Sequence, residues 1–404
     1  MSLSLETIRD LARQRQPALV AFAQDIIQIP SPPGHEGNVA VAIHAEMEQL
    51  GYDRVWIDEA GNVIGQIKGG PGPAVLLNGH IDHVDPGPVQ GWPYPPFSGQ
   101  IVNGELWGRG SVDMKGPLAC MIYAGSLFKL IDVTPPGDIY VTAVVMEEIG
   151  GLGTQYLATQ LRADAAICGE PGRNILRRGH RGRVEVRVTF KGRSAHASVP
   201  HLGVNPHYAA ATFLSKLPDL PMTQNDTLGP ATVAPTRYLT DQTSANVIPG
   251  EIQLTLDWRN VPAESPEMIV AKVNTLLKEC GLQSTLKDAA AEVATIDFTT
   301  YTGLVRNMPM IFPSFLLAQD DPLVYTAQAT LVQTLGRNES VDVWQFATDG
   351  GHLMAAGIPT IGFGPGDERL AHTNQERIRL AQMEEAVVGY VALILALGEQ
   401  KRKE

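Results

Sequence analysis

Several short apolar runs of this chain each lead into a histidine or an acidic residue. The runs and the polar residues that follow them are 75–77 with His80 and Asp82, 139–145 with Glu147 and Glu148, and 165–168 with Glu170. Runs of this length and composition are typical of buried parallel strands, whose two faces are both covered. In open α/β sheets, ligands bind where loops leave the carboxyl ends of the strands. We therefore expect an α/β fold with a mixed, mostly parallel sheet flanked by helices, and with these polar residues gathered at one edge.

The residue types at these strand ends match the needs of a two-metal site. Zn²⁺ binds imidazole nitrogen and carboxylate oxygen, and two ions about 3.5–4 Å apart need a carboxylate that bridges them. The glycine-rich turn 108–116, just before a predicted helix over 117–130, can supply that bridge. The predicted ligands are His80 and Glu170 for one ion, Glu148 and His372 for the other, and Asp113 as the bridge. Zinc is the default ion, although Co²⁺ or Mn²⁺ would accept the same ligands.

Two further carboxylates have predicted roles beside the ions. Asp82 lies two residues after His80 and can accept the second imidazole N–H, which fixes the tautomer of a metal ligand. Glu147 is left over beside a ligand and is a candidate general base. Buried carboxylates need compensation, so a salt-bridge network built on Arg109 and Lys115 is the alternative to a metal site.

Together these motifs resemble a known family of metallohydrolases over nearly the whole chain. The segments that carry the resemblance are GHIDHVDPG (79–87), GRGSVDMKG (108–116), MEEIGG (146–151), GEP (169–171), GRSAH (192–196), FGPG (363–366) and AHTNQE (371–376). The family includes acetylornithine deacetylase, succinyl-diaminopimelate desuccinylase, aminoacylase and carboxypeptidase G. The chain looks closest to a subgroup of hydrolases linked to selenium metabolism.

The resemblance implies roles for individual residues. It assigns the same five metal ligands, gives Glu147 the general acid/base role, and places Asp82 behind the metal ligands. It also implies that His196 stabilises the oxyanion, frequently from the partner subunit, and that Asn246 and Arg259 bind the carboxylate or carbonyl of the substrate. Members of the family commonly form homodimers through an inserted domain, and the same is expected here.

A second domain is expected because 404 residues exceed the usual size of a single core. Hydrophobic periodicity predicts a β-α-β-β-α-β series within residues 179–301, which we expect to form a lid and dimerisation domain. Its predicted elements are Val184–Phe190, Asn205–Leu217, Ala231–Leu239, Ile252–Trp258, Pro266–Cys280 and Glu292–Phe298. The predicted ligands Glu170 and His372 flank this insert. The catalytic domain is therefore expected to be discontinuous, over 1–178 and 302–404.

Charge and composition exclude some classes of partner. The net charge of −12 disfavours binding to nucleic acid or to an anionic membrane. The chain shows no signal peptide or membrane-spanning run, and its three cysteines have no metal-type spacing, so a cytoplasmic location is expected.

The function expected from these features is hydrolysis of an amide bond, most of all deacylation of an N-acyl amino acid as in acetylornithine deacetylase. In this scheme a hydroxide bridging the two metals attacks the carbonyl, and Glu147 moves the proton. A dipeptidase or carboxypeptidase would use the same machinery. Two non-enzymatic classes are also compatible with the sequence: a non-catalytic metal-binding protein, and a scaffold held by salt bridges.

Some features limit the choice of substrate. Where the desuccinylase pattern has an arginine, this chain has Gly351, which cannot hold a carboxylate, so the succinyl substrate is disfavoured. Arg178, Arg259 or His352 could hold a smaller acid. His83 could compete as a metal ligand, but it is expected to face away because it lacks the spacing that relates His80 to Asp82.

Overall fold

A computed structural model describes residues 4–281, 286, 288–337 and 340–400. The two ends of the expected catalytic domain, residues 1–3 and 401–404, lie outside the described residues. The helices of the described chain are α1 (Leu5–Ile27), α2 (Gly37–Gln49), α3 (Lys115–Leu130), α4 (Leu152–Gln160), α5 (Pro206–Lys216), α6 (Pro266–Glu279), α7 (Pro322–Leu335), α8 (Gly350–Ala355) and α9 (Leu380–Gly398).

The strands lie in several sheets. They are β1 (Arg54–Ile57), β2 (Val63–Ile67), β3 (Val75–His80), β4 (Ile101–Val102), β5 (Glu105–Trp107), β6 (Ile139–Val144), β7 (Ala165–Cys168), β8 (Leu176–His180), β9 (Arg183–Lys191), β10 (Ala195–His196), β11 (Thr232–Thr240), β12 (Val247–Ile248), β13 (Glu251–Arg259), β14 (Asp288–Val293), β15 (Thr295–Thr299), β16 (Val305–Pro309), β17 (Ile311–Phe312), β18 (Phe315–Leu316), β19 (Val341–Trp344), β20 (Thr360–Gly362) and β21 (Arg377–Arg379).

Polar caps begin several helices where the sequence favours them. The side chain of Ser4 accepts the N–H of Thr7 at the start of α1, and Asn205, Ser265 and Asp321 cap α5, α6 and α7 in the same way. Each of the last three caps precedes a proline at the first helical position, where the missing N–H costs no hydrogen bond.

The large sheet has the order β1-β2-β6-β3-β7-β20-β8-β18, with β19 also paired to β8. Its central strands β6, β3, β7 and β20 are parallel, whereas β1 and β2 run antiparallel at one side. Every residue of β3 and β7 is buried. Val75 and Leu77 pack with α1, α3 and α9 on one face, and Leu76 packs with α4 and α8 on the other. The predicted fold class is confirmed.

Helix α9 is long and apolar enough to cross a membrane by length and composition alone, with a mean hydropathy of 1.6. The sequence was expected to contain no such run. In the structure, 61% of this stretch is buried inside the molecule, where α9 packs against α1, α3 and α7. This burial is typical of a core helix.

A second sheet has the order β11-β13-β9-β14, and β17 pairs with β9. Its elements follow one another as β9, α5, β11, β13, α6 and β14. Alternate residues of β9 and β13 are buried against α5 and α6, which leaves the other face open. The buried residues of the two strands are Val184, Val186, Val188, Phe190, Ile252, Leu254, Leu256 and Trp258.

The prediction of a single last strand over Glu292–Phe298 is wrong, because two strands share this stretch. The chain leaves the second sheet after Val293, and Thr295–Thr299 pairs instead with Val305–Pro309 in a separate hairpin. The reason is packing: Phe298 is buried in the core of the large sheet rather than in that of the second sheet. The alternation also changes phase at this point, because Val293 and Ala294 are adjacent apolar residues and the inward positions move from odd to even numbers.

The hairpin β15–β16 rests on loops beside the large sheet. At its tip, the hydroxyl of Tyr301 donates to the carbonyl of Gly61 at 2.9 Å, and the hydroxyl of Thr302 donates to the carbonyl of Glu59 at 2.6 Å. Gly61 has φ +99°, and a Cβ there would lie 2.3 Å from the Tyr301 ring. After the hairpin, β17 joins the second sheet and β18 the large one, so the chain passes between the two sheets beyond residue 310.

Candidate active site and metal centre

Three neighbouring strands of the large sheet deliver polar residues to one edge. His80 is the last residue of β3, which lies between β6 and β7. Glu147 and Glu148 follow β6, and Glu170 follows β7. Parallel strands end at the same edge, and this arrangement brings residues from distant parts of the chain together.

Five side chains form two clusters that share Asp113. One cluster contains His80, Asp113 and Glu170, and the other contains Asp113, Glu148 and His372. Oδ1 of Asp113 lies 3.0 Å from Nε2 of His80, and its Oδ2 lies 3.0 Å from Nε2 of His372. Nε2 of His80 is 3.6 Å from Glu170, and Nε2 of His372 is 3.1 Å from Glu148. One carboxylate thus presents a different oxygen to each cluster.

Asp82 contacts both His80 and the turn that carries Glu147 and Glu148. Nδ1 of His80 lies 3.0 Å from the carbonyl of Asp82 and 3.4 Å from its carboxylate. A proton on Nδ1 leaves the Nε2 lone pair facing Asp113, which is the tautomer that a metal needs. The Asp82 carboxylate also accepts the backbone N–H groups of Glu147 at 3.1 Å and of Glu148 at 3.0 Å. The sequence analysis missed this second role, which joins the ends of β3 and β6.

Two residues of the site have left-handed backbone conformations that side chains other than glycine seldom adopt. Met146, directly before Glu147, has φ +57°, and His372 has φ +60°. Such conformations cluster at functional sites because the surrounding structure must hold them. The His372 side chain is 52% exposed, so the second cluster is open to solvent on its side.

Electrostatic repulsion accumulates among the acids of the site. Burial raises the pKa of Glu147, Glu148 and Glu170, and neighbouring carboxylates raise each of these pKa values further. Burial also raises the pKa of Asp349, a carboxyl group behind the site, to about 7. A nearby cation would relieve this repulsion.

Asp113 behaves differently from the other acids. Burial alone would raise its pKa, but hydrogen bonds with His372 and His80 outweigh burial and hold the pKa well below its usual value. Asp113 is thus the acid of the site most strongly held in its ionised form.

The cations proposed for a salt-bridge network are engaged elsewhere. Arg109 pairs with Glu376, and Nζ of Lys115 donates to the carbonyls of Ile26 at 2.9 Å and Ile29 at 2.7 Å. Among the described residues, the ion pairs of the clustered acids are with histidine alone. These imidazole and carboxylate donors, most of them buried and without a pairing arginine or lysine among the described residues, fit divalent cations better than a salt-bridge network.

A cavity of about 300 Å³ lies over the clusters. Asp113, Glu147, Glu148, Glu170 and His372 line it on the side of the large sheet. Its other walls include Arg183, Arg259, Phe312 and Phe346. The space accommodates a small molecule between the two sheets.

Of the predicted substrate-binding residues, Arg259 lines the cavity. Its guanidinium makes two hydrogen bonds with Asp257, at 2.6 and 3.1 Å. The sequence analysis missed Arg183, which also lines the cavity and donates to Asp257 at 3.0 Å. The alternation of β9 could have revealed it, because Arg183 precedes the buried Val184 and so belongs to the open face.

His196 and Asn246 lie apart from the cavity in this single chain. They occupy a short exposed region around β10 and β12, where the N–H of Ala197 donates to the carbonyl of Asn246 at 2.9 Å. Nδ1 of His196 is 2.7 Å from the hydroxyl of Ser198. Neither residue is among the described residues that line the cavity.

The other candidates for ligand or substrate contacts also lie outside the two clusters. Nε2 of His83 accepts the N–H of Ser31 at 2.9 Å, and its Nδ1 lies 2.8 Å from the carbonyl of Val84. His352 is buried with its ring centroid 5.0 Å from that of Phe312.

Two positions from the substrate argument have structural explanations. Arg178 donates to the carbonyl of Leu317 at 2.6 Å. A Cβ at Gly351 would lie 2.0 Å from the carbonyl oxygen of Pro313, so the backbone leaves no room there for an arginine.

Comparisons with known proteins agree with this geometry. The model of a family described as Peptidase family M20/M25/M40 matches residues 76–396. The uncharacterized protein YgeY of Escherichia coli (strain K12) is 30% identical over 401 residues, which make up 98% of each chain.

Solved structures give the same fold. The dipeptidase Dug1p of Saccharomyces cerevisiae superposes with a TM-score of 0.76 at 16% identity, covering 100% of both chains. The Bacillus subtilis YXEP protein, a dinuclear metal-binding peptidase, gives 0.70 at 16% identity over 96% of this chain and 99% of its own. The resemblance drawn from the motifs is confirmed: the chain belongs to peptidase family M20/M25/M40 and is a metallohydrolase.

Proposed function

We propose that this protein uses two divalent metal ions to hydrolyse an amide bond in a small substrate. The observation that carries the proposal is the sharing of Asp113 between two ligand clusters, with Glu147 beside them at the cavity. An N-acyl amino acid is the first candidate substrate. A dipeptide is the second, favoured by the similarity of the fold to that of the dipeptidase Dug1p.

The donor set supports a site for two ions. His80 and Glu170 would hold one ion, Glu148 and His372 the other, and Asp113 would contact both. When bound, such ions polarise a carbonyl and lower the pKa of water, which is the chemistry that amide hydrolysis needs. Zinc is our choice from the ligand types, with cobalt or manganese as substitutes.

Glu147 is proposed to move the proton. It belongs to neither ligand cluster, yet it lines the same cavity as the ligands. Burial raises its pKa well above the usual value, and the neighbouring carboxylate Glu170 raises it further. A carboxyl group with a raised pKa can accept a proton from the attacking water and donate it to the leaving amine. Asp82 holds the Glu147 backbone in place for this transfer.

The wall formed by the second sheet is proposed to bind the rest of the substrate. Arg183 and Arg259 can turn from Asp257 to a substrate carboxylate, because arginine pairs with either acid in the same geometry. Phe312 and Phe346 offer apolar contacts on the cavity wall.

The residues of the exposed β10–β12 region are proposed to act from a second copy of the chain. We infer a homodimer in which His196 and Asn246 reach the cavity of the partner protomer, with His196 aimed at the developing oxyanion. Their exposure and their absence from the lining of their own cavity support this. Residues 179–301 would then be the domain that closes over the site and joins the copies, and residues 1–178 and 302–404 the catalytic domain.

We also infer a cytoplasmic location. The described cysteines Cys120, Cys168 and Cys280 are free thiols, and two of them are buried. Unpaired thiols are typical of proteins from reducing compartments.

The test is amine release by zinc- or cobalt-loaded protein from a panel of N-acetyl, N-succinyl and N-formyl amino acids and dipeptides. Glu147→Gln should lower kcat by about 10²–10⁴-fold, because the amide cannot accept the proton. Its metal content should equal that of the wild type.

The control for this test is Glu264→Gln, which alters a buried glutamate in the loop between β13 and α6 and should leave turnover unchanged. Turnover of Glu147→Gln equal to that of the wild type would refute the proton-transfer role. A fully metal-loaded wild type that hydrolyses no member of the panel would refute the proposed substrate classes.

A further inference from the structure

Glu376 is a buried carboxylate that the mechanism above does not use. It lies four residues after His372 and is fully shielded from solvent. Its Oε2 pairs with Arg109, and its Oε1 accepts the backbone N–H groups of Val112 at 3.0 Å and Asp113 at 3.1 Å. It is therefore joined to the backbone of the residue that both ligand clusters share.

The backbone at Glu376 makes a second set of contacts with the turn that carries Asp113. The carbonyl of Glu376 accepts the N–H of Gly108 at 3.2 Å. The next residues, Arg377–Arg379, form β21 and pair with β5, which leads into the turn of Asp113. The segment that follows His372 and the turn of Asp113 are thus held together at Glu376 and at the strand after it.

This arrangement parallels the one made by Asp82. The carboxylate of Asp82 accepts the backbone N–H groups of Glu147 and Glu148, and that of Glu376 accepts those of Val112 and Asp113. In each case a buried acid fixes a turn that bears a ligand without being a ligand itself. Partners of this kind commonly change metal affinity by about 10–100-fold when they are lost.

We propose that Glu376 is a positioning residue that sets the spacing between Asp113 and His372, and so the affinity of the cluster Asp113–Glu148–His372 for its ion. The inference rests on the proposed metal site. The acceptor oxygen carries the role, because it alone contacts the Asp113 backbone. Arg109 neutralises the other oxygen, and its guanidinium also lies 5.2 Å from the ring of Trp92.

The decisive comparison is between two double variants, Arg109→Met/Glu376→Gln and Arg109→Met/Glu376→Leu. Both remove the buried ion pair, and neutral replacements of such pairs are often tolerated. They have similar side-chain volumes, but glutamine alone keeps an oxygen that accepts the two backbone N–H groups. A single Glu376→Gln change is less useful, since its amide would face the Arg109 guanidinium with a donor.

The measurement is titration of the metal-free proteins with Zn²⁺. The glutamine variant should bind two ions with affinities within about threefold of the wild type, and the leucine variant should bind one of them at least about tenfold more weakly. On a His372→Ala background, where the second cluster is already incomplete, the two variants should differ by less than about threefold.

Three results would count against these proposals. Equal affinities of the glutamine and leucine variants for both ions, or an equal weakening of both ions in the leucine variant, would overturn the role of Glu376. A wild type that binds no zinc would overturn the proposed function instead. Glu264→Gln is the control for stability: it changes a buried glutamate with three side-chain partners, Thr223, Trp258 and Lys272, that do not line the cavity, and should leave both zinc affinities unchanged.

Discussion

Single buried side chains hold the backbone of this site in place. Asp82 and Glu376 each accept two backbone N–H groups from turns that carry proposed metal ligands. His180, the last residue of β8 in the large sheet, does similar work: its Nδ1 lies 2.9 Å from the carbonyl of Arg181, and its Nε2 lies 3.0 Å from the hydroxyl of Thr348. Most of these contacts join segments that are far apart in the sequence.

The buried state of His180 predicts a pH dependence of stability. Burial lowers its pKa to about 4, below the value of about 6.5 expected in the unfolded chain. The unfolded state therefore binds a proton that the folded state does not. The resulting stabilisation is complete above pH 6.5 and is lost as the pH falls from there to 4, by about 1 kcal/mol at pH 5.5.

Chemical denaturation at pH 7.5 and 5.5 would measure this effect, with chelator present so that metal binding adds no pH dependence. His180→Gln should lose about 1 kcal/mol less stability than the wild type between the two pH values. His201→Gln changes an exposed histidine and should follow the wild type. An equal loss in wild type and His180→Gln would contradict the prediction.

The sequence predicted which ligand-type residues would meet and the contact of Asp82 with His80, but not the backbone contacts of Asp82 and Glu376. His80, Glu148 and Glu170 follow apolar runs, and the edge of a parallel sheet brings such residues together whatever their separation. Glu376 follows no apolar run, and although it ends the motif AHTNQE (371–376) no role was predicted for it. Its carboxylate binds backbone 263 and 264 residues away, and a contact of this length leaves no local pattern.

At the scale of elements, the period and length of the apolar runs predicted well the strands of both sheets and the helices that cover them. They did not predict where the chain leaves one sheet for another. In the run Glu292–Phe298 the adjacent apolar residues Val293 and Ala294 interrupt the alternation, and the two parts of the run contribute to two different sheets. The partner change depends on Phe298 finding a place in the larger core. Periodicity describes which face is apolar and contains no information on which core that face meets.

The hairpin β15–β16 is predicted to stabilise the loops beside the large sheet through Tyr301. Tyr301→Phe removes the hydrogen bond to Gly61 and should lower the free energy of unfolding by about 1 kcal/mol. Tyr301→Ala also removes the ring that covers Gly37 and Gly61, and should cost about 2–4 kcal/mol. Denaturation midpoints would give both values.

Tyr208→Phe is the matched control, because this tyrosine is 76% exposed on α5 and its change should be nearly neutral. A Tyr301→Ala variant as stable as the wild type would mean that the hairpin does not brace the loops beneath it.

At the scale of the whole molecule, a single copy of the chain has an incomplete set of the expected residues at its cavity. Arg183 and Arg259 of the second sheet line it, whereas His196 and Asn246 lie outside. Either the second sheet moves on binding substrate, or another copy supplies these residues. The two cases make opposite predictions for mixtures of inactive variants.

If a partner protomer supplies His196, mixing Glu147→Ala with His196→Ala should restore activity. After subunit exchange, a mixed dimer has one cavity with an intact Glu147 in its own chain and an intact His196 from its partner. Since about half of the dimers are mixed and each has one complete site of two, the mixture should reach about a quarter of wild-type turnover.

The matched control is a mixture of Glu147→Ala with Arg259→Ala. Arg259 and Glu147 line the cavity of the same chain, so no mixed dimer contains a complete site and activity should stay absent. Turnover measured against the fraction of each variant would separate the two cases. Recovery only in the mixture that contains His196→Ala would establish the action of one copy on the other, because exchange cannot repair a site within one chain. Absence of recovery in both mixtures, with exchange verified by sedimentation of differently labelled subunits, would favour closure of the second sheet over its own cavity.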